Sequence, residues 1–296
     1  MTRVNVPAPL TILDDRMQHV RADSHLTVHY THGKWLEGPS YSVQGRYLLF
    51  SDIPNDRTLR LDETSGTVTV FDAPSRFANG RTHDRTGRLV TCLHGDRSVV
   101  RREHDGREVI IAATYDGRRL NSPNDVIVSS GGDIWFTDPS YGILSDYEGH
   151  ESVPDQDVRG LYRWTEGSAE PVLVSSQFLQ PNGLAFADGE SVLFVVDSER
   201  DTISELTLDA GDVRAQRTLI ARGLGFDGIR MDAAGRIWAA TRDGVSCLDI
   251  EGNELLRMSL PEPASNLEFG GRQRNTLYIT ATTSLYSLRT SVRGRW

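Results

Sequence analysis

The segment DIWFTD at residues 133–138 decides the fold, because close variants of it recur along the chain. Each variant is short and rich in aromatic and β-branched side chains, which is typical of a β-strand. Recurrence of one unit at a regular interval indicates a repeat architecture. The copies are YLLFSD (47–52), RLVTCL (88–93), DIWFTD (133–138), VLFVVD (192–197), RIWAAT (236–241) and TLYITA (276–281).

Three further short runs accompany most copies. An apolar run introduced by Gly, Pro, Asn or Asp precedes the copy, as in PNGLAF (181–186). An alternating run follows it, as in GLYRWT (160–165), and a fourth run completes most units, as in REVIIAA (107–113). The unit is therefore four antiparallel strands in about 40–45 residues, which is the usual length of a propeller blade.

Six such units predict an all-β fold, a six-bladed β-propeller with four antiparallel strands per blade. No long segment shows the 3.6-residue hydrophobic period of an α-helix. This disfavours a parallel α/β fold, which would need helices between its strands. A β-sandwich is the other all-β arrangement, but it does not require six equivalent units. The last unit (264–290) shows only three strands, and a strand-like run at 25–30 precedes the first unit. We expect 25–30 to close the last blade, with 1–24 as an N-terminal extension and 25–296 as one domain.

Composition excludes several classes of protein. The 296 residues carry a net charge of −9, which disfavours a nucleic-acid partner. No apolar run approaches the roughly 18 residues of a membrane span, and the N-terminus has no signal-peptide pattern, so we expect a cytoplasmic protein. Cys92 and Cys247 lie in apolar runs and are interpreted as buried thiols rather than a disulfide.

One position can be compared across all six units. The residue at the entrance to the first strand of each unit is always an acid or an amide, while its neighbours vary. Equivalent positions in a propeller surround one axis, so these side chains should converge on a shared channel. Oxygen donors without thiol or imidazole suit a hard divalent cation such as Ca²⁺, Mg²⁺ or Mn²⁺ rather than a structural zinc. The six residues are Glu37, Asn79, Asn124, Asn182, Asp227 and Asn266.

A second interpretation treats these positions as turns, because Asn-Gly and Asp-Gly are common turn signals. Against it, two carboxylates in one channel repel each other unless a cation or a proton lies between them. Asp52, Asp138 and Asp197 follow the second strand of three units and are interpreted as turn formers.

The segment 139–158 is longer than the equivalent connection in any other unit. Long loops in compact domains are often lids or binding loops. Tyr141 and Tyr147 could therefore cover a ligand, although a decorative insertion is the equal alternative. His83, four residues beyond Asn79, is a weaker candidate for the channel mouth.

With these motifs in hand, the chain resembles the gluconolactonase branch of the family that also contains regucalcin (senescence marker protein) and the luciferin-regenerating enzymes. The resemblance spans nearly the whole length and is carried most specifically by EGP (37–39), SPND (122–125) and PNGLAF (181–186), in that order. It implies metal ligation by Glu37, Asn182 and Asp227.

The same resemblance implies that Asn124 is a fourth ligand or a substrate contact. Asn79 and Asn266 are not standard ligands of the family, so their roles stay open. Regucalcin-type members have an arginine where this chain has Ser122, so their sugar contacts do not transfer.

The expected activity is metal-dependent hydrolysis of a sugar lactone to the open-chain aldonic acid, a reaction of carbohydrate metabolism. Asp227 is the predicted general base and Glu37 the anionic anchor, with Asn124, Asn79 and Tyr141 as substrate-binding residues. The expected cofactor is one divalent ion, calcium first, with magnesium, manganese or zinc as alternatives.

The expected partner is a small-molecule lactone, and the chain is expected to be a monomer or a weak homo-oligomer. Two alternatives remain: hydrolysis of other lactones or phosphotriesters on the same scaffold, and a non-catalytic propeller that binds calcium or proteins.

Overall fold

A computed structural model of the chain describes residues 4–20, 23, 25–221 and 223–295. In these residues the strands form six sheets in a ring, so the predicted six-bladed β-propeller is confirmed. No α-helix occurs in the described residues, and no helix there is long and apolar enough to cross a membrane. The helical elements are the short 3₁₀ helices Asp15–Met17, Ile53–Asn55, Tyr141–Ile143 and Asp188–Glu190.

The first four blades each have four antiparallel strands, ordered below from the axis outward. Blade 1 comprises Leu36–Ser42, Tyr47–Asp52, Arg57–Asp62 and Val68–Asp72. Blade 2 comprises Ala78–His83, Leu89–Leu93, Ser98–Arg102 and Glu108–Ala112. Blade 3 comprises Val126–Val128, Ile134–Asp138, Gly160–Trp164 and Val172–Ser175. Blade 4 comprises Pro181–Phe186, Val192–Asp197, Thr202–Asp209 and Asp212–Ala221. The hairpin Thr114–Tyr115 and Arg118–Arg119 lies between blades 2 and 3 in sequence.

The last two blades each gain a fifth strand from the N-terminal extension. Blade 5 comprises Ile229–Met231, Ile237–Thr241, Gly244–Leu248, Glu254–Ser259 and Leu10–Ile12. Blade 6 comprises Ala264–Gly270, Thr276–Ala281, Leu285–Arg289, His25–Tyr30 and Val4–Pro7. Leu285 pairs with Tyr30 in antiparallel register, so the predicted closure of the last blade by 25–30 is confirmed. The N-terminal extension therefore adds an outer strand both to blade 6, where the ring closes, and to the preceding blade 5.

Neighbouring blades pack face to face through buried aromatic side chains. Trp238 of blade 5 meets Phe269 of blade 6 edge to face, with ring centroids 5.7 Å apart. Tyr41 of blade 1 stacks on Tyr278 of blade 6 at 6.0 Å. Such pairs contribute about 0.5–1.5 kcal/mol beyond the area they bury, which helps to fix each blade's angle to the axis.

Both cysteines are buried free thiols, as predicted. Cys92 lies in the second strand of blade 2 and Cys247 in the third strand of blade 5. Burial raises the pKa of each thiol well above its ordinary value, because the charged form loses its hydration. Both thiols therefore serve as packing groups and not as reactive sulfur.

Candidate active site

The entrances to the inner strands approach one another closely around the axis. A Cβ atom added to Gly38 would lie 2.0 Å from the carbonyl oxygen of Asn79, and one added to Gly228 would lie 2.1 Å from the Oδ1 atom of Asn266. Glycine follows the axial residue at these places because the next blade leaves no room for a side chain. The Asn-Gly and Asp-Gly dipeptides therefore mark close contact between blades.

The six axial residues identified from the sequence form what we call the axial ring. Its two carboxylates, Glu37 and Asp227, form no ion pair with arginine or lysine in the described part of the chain. Burial raises the pKa of Glu37 to about 8. Burial and the nearby negative charge of Glu37 raise the pKa of Asp227 well above its ordinary range. Asn266 donates from Nδ2 to Glu37 Oε2 at 3.1 Å, and Asn182 donates to Asp227. Two acids that share one poorly hydrated site favour a proton or a cation between them.

The amides of Asn79 and Asn182 are oriented by the residue that follows the second strand of their own blade. Asn79 Nδ2 lies 3.1 Å from His94 Nε2, and Asn182 Nδ2 donates to Ser198 Oγ at 3.1 Å. The amide nitrogens are thereby held, and both Oδ1 atoms are buried without a hydrogen-bond partner in the described part of the chain. A buried acceptor without a donor is costly, and a cation would satisfy both oxygens.

Asn124 and Asn266 differ from that pair. The backbone N–H of Asn124 donates to the carbonyl of Thr137 at 2.8 Å, which fixes its position at the ring. The amide of Asn266 is engaged at both ends, because it donates to Glu37 and its Oδ1 accepts from the N–H of Leu267 at 2.9 Å. Asn266 therefore positions Glu37, and its Oδ1 atom, unlike those of Asn79 and Asn182, already has a hydrogen-bond donor.

A group of three or more His, Cys, Asp and Glu side chains arranged to hold a metal does not occur among the residues described. The donor set of the axial ring is instead two carboxylates with carboxamide oxygens. That set fits a hard divalent cation, because such ions take carboxylate and amide oxygens together. Of the predicted ligands, Asn182 and Asp227 stand at the adjacent blades 4 and 5, and Asn124 stands beside Asn182 at blade 3. Glu37 stands at blade 1 and is separated from Asp227 by Asn266 of blade 6.

The loop 139–158 lies over this ring and is anchored to it. Ser122 Oγ donates to the carbonyl of Pro139 at 2.7 Å and accepts from the N–H of Gly142 at 3.0 Å. Tyr141 reaches inward, since its hydroxyl bonds to Ser198 and its pKa is raised by burial and then by the charge of Asp227. The predicted substrate-binding tyrosine thus stands at the ring.

Tyr147, the other tyrosine of the loop, is 51% exposed. It therefore faces solvent over much of its ring, in contrast to Tyr141.

A further acid of the same loop, Glu148, was not identified from sequence. Its negative charge contributes to the raised pKa values of both Glu37 and Asp227, so its carboxylate faces the ring. Burial raises the pKa of Glu148 itself to about 7. Its carbonyl oxygen lies 3.0 Å from His94 Nδ1. His94 thus joins the loop to Asn79, with Nδ1 donating to the loop and Nε2 accepting from the amide.

Sequence offered a weak signal for His94 and Ser198, because they occupy the same place after the second strand of blades 2 and 4. No pattern in the loop distinguishes Glu148 from its other acidic residues. Its role depends on how the loop folds back over the axis.

The three aspartates interpreted as turn formers hold the segments that lead into the ring. Asp138 accepts from the backbone N–H groups of Asn121 and Ser122, each at 2.8 Å. Asp197 accepts from the N–H groups of Leu179 and Gln180 in the same manner, at 2.8 and 3.1 Å.

In blade 1, the backbone N–H of Lys34 donates to Asp52 at 3.0 Å. The bonded residue precedes the axial Glu37 by three positions, as Asn121 precedes Asn124 and Leu179 precedes Asn182. These buried carboxylates therefore fix the height at which the axial side chains stand.

His83 lies at the opposite end of the channel from the ring. Its Nδ1 atom is 2.9 Å from Ser40 Oγ, and it lines a cavity of about 590 Å³ with Phe186 and Arg230. Burial lowers its pKa to about 4, so it is neutral at physiological pH. His83 therefore lines a mouth of the channel, but it is the mouth opposite to Glu37 and Asp227.

The chain is similar to known lactonases in sequence and in fold. The family model described as the SMP-30/Gluconolactonase/LRE-like region matches residues 35–283. A gluconolactonase of Zymomonas mobilis is 28% identical over 290 residues, covering 88% of this chain and 80% of that protein. A pentonolactonase of Haloferax volcanii is 28% identical over 261 residues, covering 82% of this chain and 80% of that protein.

A solved structure of a gluconolactonase from Xanthomonas campestris superposes with a TM-score of 0.91 at 32% sequence identity. The superposition covers 97% of this chain and 99% of that one. The match therefore extends over nearly all of both chains.

Proposed function

The chain belongs to the SMP-30/Gluconolactonase/LRE-like family, and from that premise we propose that it is a lactonase that hydrolyses a sugar lactone with the help of one divalent cation. The gluconolactonase and pentonolactonase relatives support the reaction class. The observation that carries the proposal is the axial ring, where Glu37 and Asp227 meet two buried carboxamide oxygens without donors.

Glu37, Asn182 and Asp227 are the residues we expect to hold the cation, with Asn124 as a fourth ligand or substrate contact. When bound, a divalent ion supplies positive charge that stabilises a developing oxyanion and lowers the pKa of water. Calcium is the first expectation because the donors are hard oxygens, with magnesium, manganese or zinc as alternatives. Asn79 presents the same kind of unsatisfied oxygen and is a substrate contact in this proposal.

Asp227 is the proposed general base. It keeps a partly accessible edge, whereas Glu37 is only 4% exposed. Asp227 takes a proton from the attacking water, whose oxygen bonds to the carbonyl carbon of the lactone. The acyl bond to the ring oxygen then breaks, that oxygen gains a proton, and the open hydroxy acid leaves. Glu37, held by Asn266, anchors the site with its negative charge.

The loop 139–158 excludes water from this reaction and lines the substrate space. Its docking is broad, since Arg97 pairs with Asp155 at 2.8 Å and Gln156 donates to the carbonyls of Tyr115 and Arg118 at 2.9 Å each. Tyr141 lies on the ring side of the loop and is the proposed wall of the lactone pocket. Whether the loop opens as a lid remains a prediction.

A metal-dependent lactone panel tests the proposal. Proton release is followed with glucono-δ-lactone, an acyl-homoserine lactone, an aryl ester and a phosphotriester, before and after chelation and after adding back each cation. We expect the sugar lactone to be the fastest substrate, with activity lost on chelation and restored by a divalent ion. A faster phosphotriester would identify a different hydrolase, and no turnover with any cation would indicate a binding propeller.

The monomeric or weakly oligomeric state and the cytoplasmic location stay predictions. Gel filtration and cell fractionation test them independently of the activity.

A further inference from the structure

The acidic residues of the loop 139–158 differ in how they are paired. Asp155 forms an ion pair with Arg97, and Asp157 forms one with Arg118, each at 2.8 Å. Asp146 accepts a hydrogen bond from the backbone N–H of Glu151 at 2.9 Å. The carboxylate of Glu148 has no hydrogen-bond or ion-pair partner among the residues described, although the residue is half-buried. Its backbone lies beside the axial ring, because its carbonyl is bonded to the same His94 side chain that holds Asn79.

The backbone around Glu148 is fixed on both sides. Its carbonyl oxygen is held by His94 Nδ1, and the N–H of His150 donates to the carbonyl of Gly142 at 3.0 Å. A Cβ atom on Gly149 would lie 2.1 Å from that same carbonyl oxygen, so the two arms of the loop are in direct contact. The His150 ring packs edge to face on Phe77 at 5.1 Å. The unpaired carboxylate is therefore presented toward the ring by a rigid support.

We propose that Glu148 is a specificity residue that accepts hydrogen bonds from the ring hydroxyls of the substrate, so that the enzyme selects polyhydroxylated lactones over lactones without hydroxyls. This inference rests on the proposed function. An ionised carboxylate accepts hydrogen bonds and cannot donate them, whereas a sugar ring supplies several O–H donors. A hydrocarbon ring would bury Glu148 without a partner, and leaving a buried polar group unpaired is what makes such sites selective.

Two lactones of the same ring size separate this role from others. Glucono-δ-lactone carries hydroxyls, and δ-valerolactone carries none, but both need the same chemical steps. A residue that acts on the reacting atoms, or that only supports the loop, serves both substrates alike. A residue that recognises hydroxyls serves only the first.

The experiment compares kcat/KM of the wild type, Glu148→Ala, Glu148→Gln and the control Glu151→Gln, which removes an exposed charge from the same loop. We expect Glu148→Ala to lower kcat/KM for glucono-δ-lactone by about 10–100-fold, the usual effect of a hydrogen bond to a charged group. The value for δ-valerolactone should change by less than about twofold, as for a surface substitution. Glu148→Gln should lose less, because its amide keeps one acceptor, and Glu151→Gln should match the wild type.

Equal losses on both lactones, or no loss on either, overturn the proposal. A carbonyl-free polyol, 1,5-anhydroglucitol, provides a second readout by calorimetry, because it binds without reacting. Should the wild type hydrolyse neither lactone, the proposed function fails, while binding of this polyol still decides the role of Glu148. Weaker binding to Glu148→Ala supports hydroxyl recognition, and unchanged or undetectable binding to both proteins rejects it.

Discussion

The two ends of the central channel are built from the same six inner strands, yet their chemistry differs. At one end every strand presents an acid or an amide, and a loop covers them. Three or four residues further along, the strands present the mixed set Ser40, His83, Val128, Phe186, Arg230 and Phe269 around a cavity of about 590 Å³. The end that contains this cavity therefore lacks the uniform chemistry of the other. We therefore base the proposed site on the uniform donor chemistry across the repeats and not on cavity size.

The channel between the two ends contains a buried charge network. Arg230 lies 3.1 Å from Glu268 and 3.4 Å from Asp125, so its charge compensates acids below the ring. Glu37 and Asp227 lack such an ion pair among the described residues. The acids are thus paired beside Arg230, toward the end with the cavity, and unpaired at the ring that the loop covers, which suits a cation at one end only.

Replacing the base should give the largest difference between the two ends. Asp227→Asn keeps an oxygen at the ring but removes the proton acceptor, so we expect kcat for glucono-δ-lactone to fall by about 10²–10⁴-fold. Stabilisation by calcium should largely persist, because the amide can still coordinate the ion. Turnover and the thermal midpoint with and without calcium measure the two effects.

His83→Asn is the matched control at the opposite end. It should change kcat by less than about twofold, because His83 contacts Ser40 and not the ring. Equal losses of kcat in the two variants would show that the two ends of the channel do not differ in function. A near wild-type rate in Asp227→Asn would remove Asp227 from the mechanism.

Removing the anionic anchor should weaken cation binding. Glu37→Gln takes one of two carboxylates from the ring, and we expect the calcium Kd to rise by about 100-fold or more, since even outer residues around a metal change affinity by about 10–100-fold. Titration calorimetry measures Kd directly. Glu268→Gln removes a buried acid on the other side of Arg230 and should leave Kd unchanged; an equal loss there would place the ion lower in the channel.

The two unpaired carboxylates of the ring should make the stability of the protein depend on pH. The pKa of Glu37 is raised to about 8 and that of Asp227 is raised well above its usual range. An acid with a raised folded-state pKa stabilises the fold below its unfolded pKa of about 4.5, and this contribution is lost as pH rises toward 8. The protein treated with chelator should therefore lose stability between pH 5 and pH 8.

Calcium replaces the protons, so its stabilising effect should increase with pH. At about 100 times Kd we expect a gain of about 5 °C in the thermal midpoint at pH 8 and a smaller gain at pH 5.5. Differential scanning fluorimetry at both pH values is sufficient. A gain that is equal at the two values, or one that Glu37→Gln retains, would contradict a cation shared by these carboxylates.

Much of this arrangement could be predicted from sequence because the repeat imposes it. The copies of DIWFTD fixed the second strand of each blade to within a residue, and a missing strand in the last unit identified 25–30 as its closure. The six axial positions followed from comparing units, since equivalent positions must surround the axis. The assignment of ligands and of a base to them remains a prediction.

The parts that break the repeat could not be predicted. Glu148 reaches the ring only because His94, Ser122 and neighbouring backbone hold the loop in one conformation, and no period in the sequence encodes that folding. The fifth strands of blades 5 and 6 were missed for the same reason. Leu10–Ile12 pairs with Glu254–Ser259, residues that are distant in sequence and unrelated by the repeat.

The smallest predicted effect concerns the anchor of the loop. Ser122 is fully buried, and its hydroxyl satisfies both the carbonyl of Pro139 and the N–H of Gly142. Ser122→Ala leaves these backbone groups without partners, which should cost about 1–3 kcal/mol of the free energy of unfolding.

Because the groups lie in the loop, KM for the sugar lactone should rise more than kcat falls. Urea unfolding and steady-state kinetics measure both, with Ser145→Ala, an exposed serine of the same loop, as the control. Equal behaviour of the two variants would show that the loop is held at the ring by its other contacts, and that the serine found where regucalcin-type members have arginine has no anchoring role.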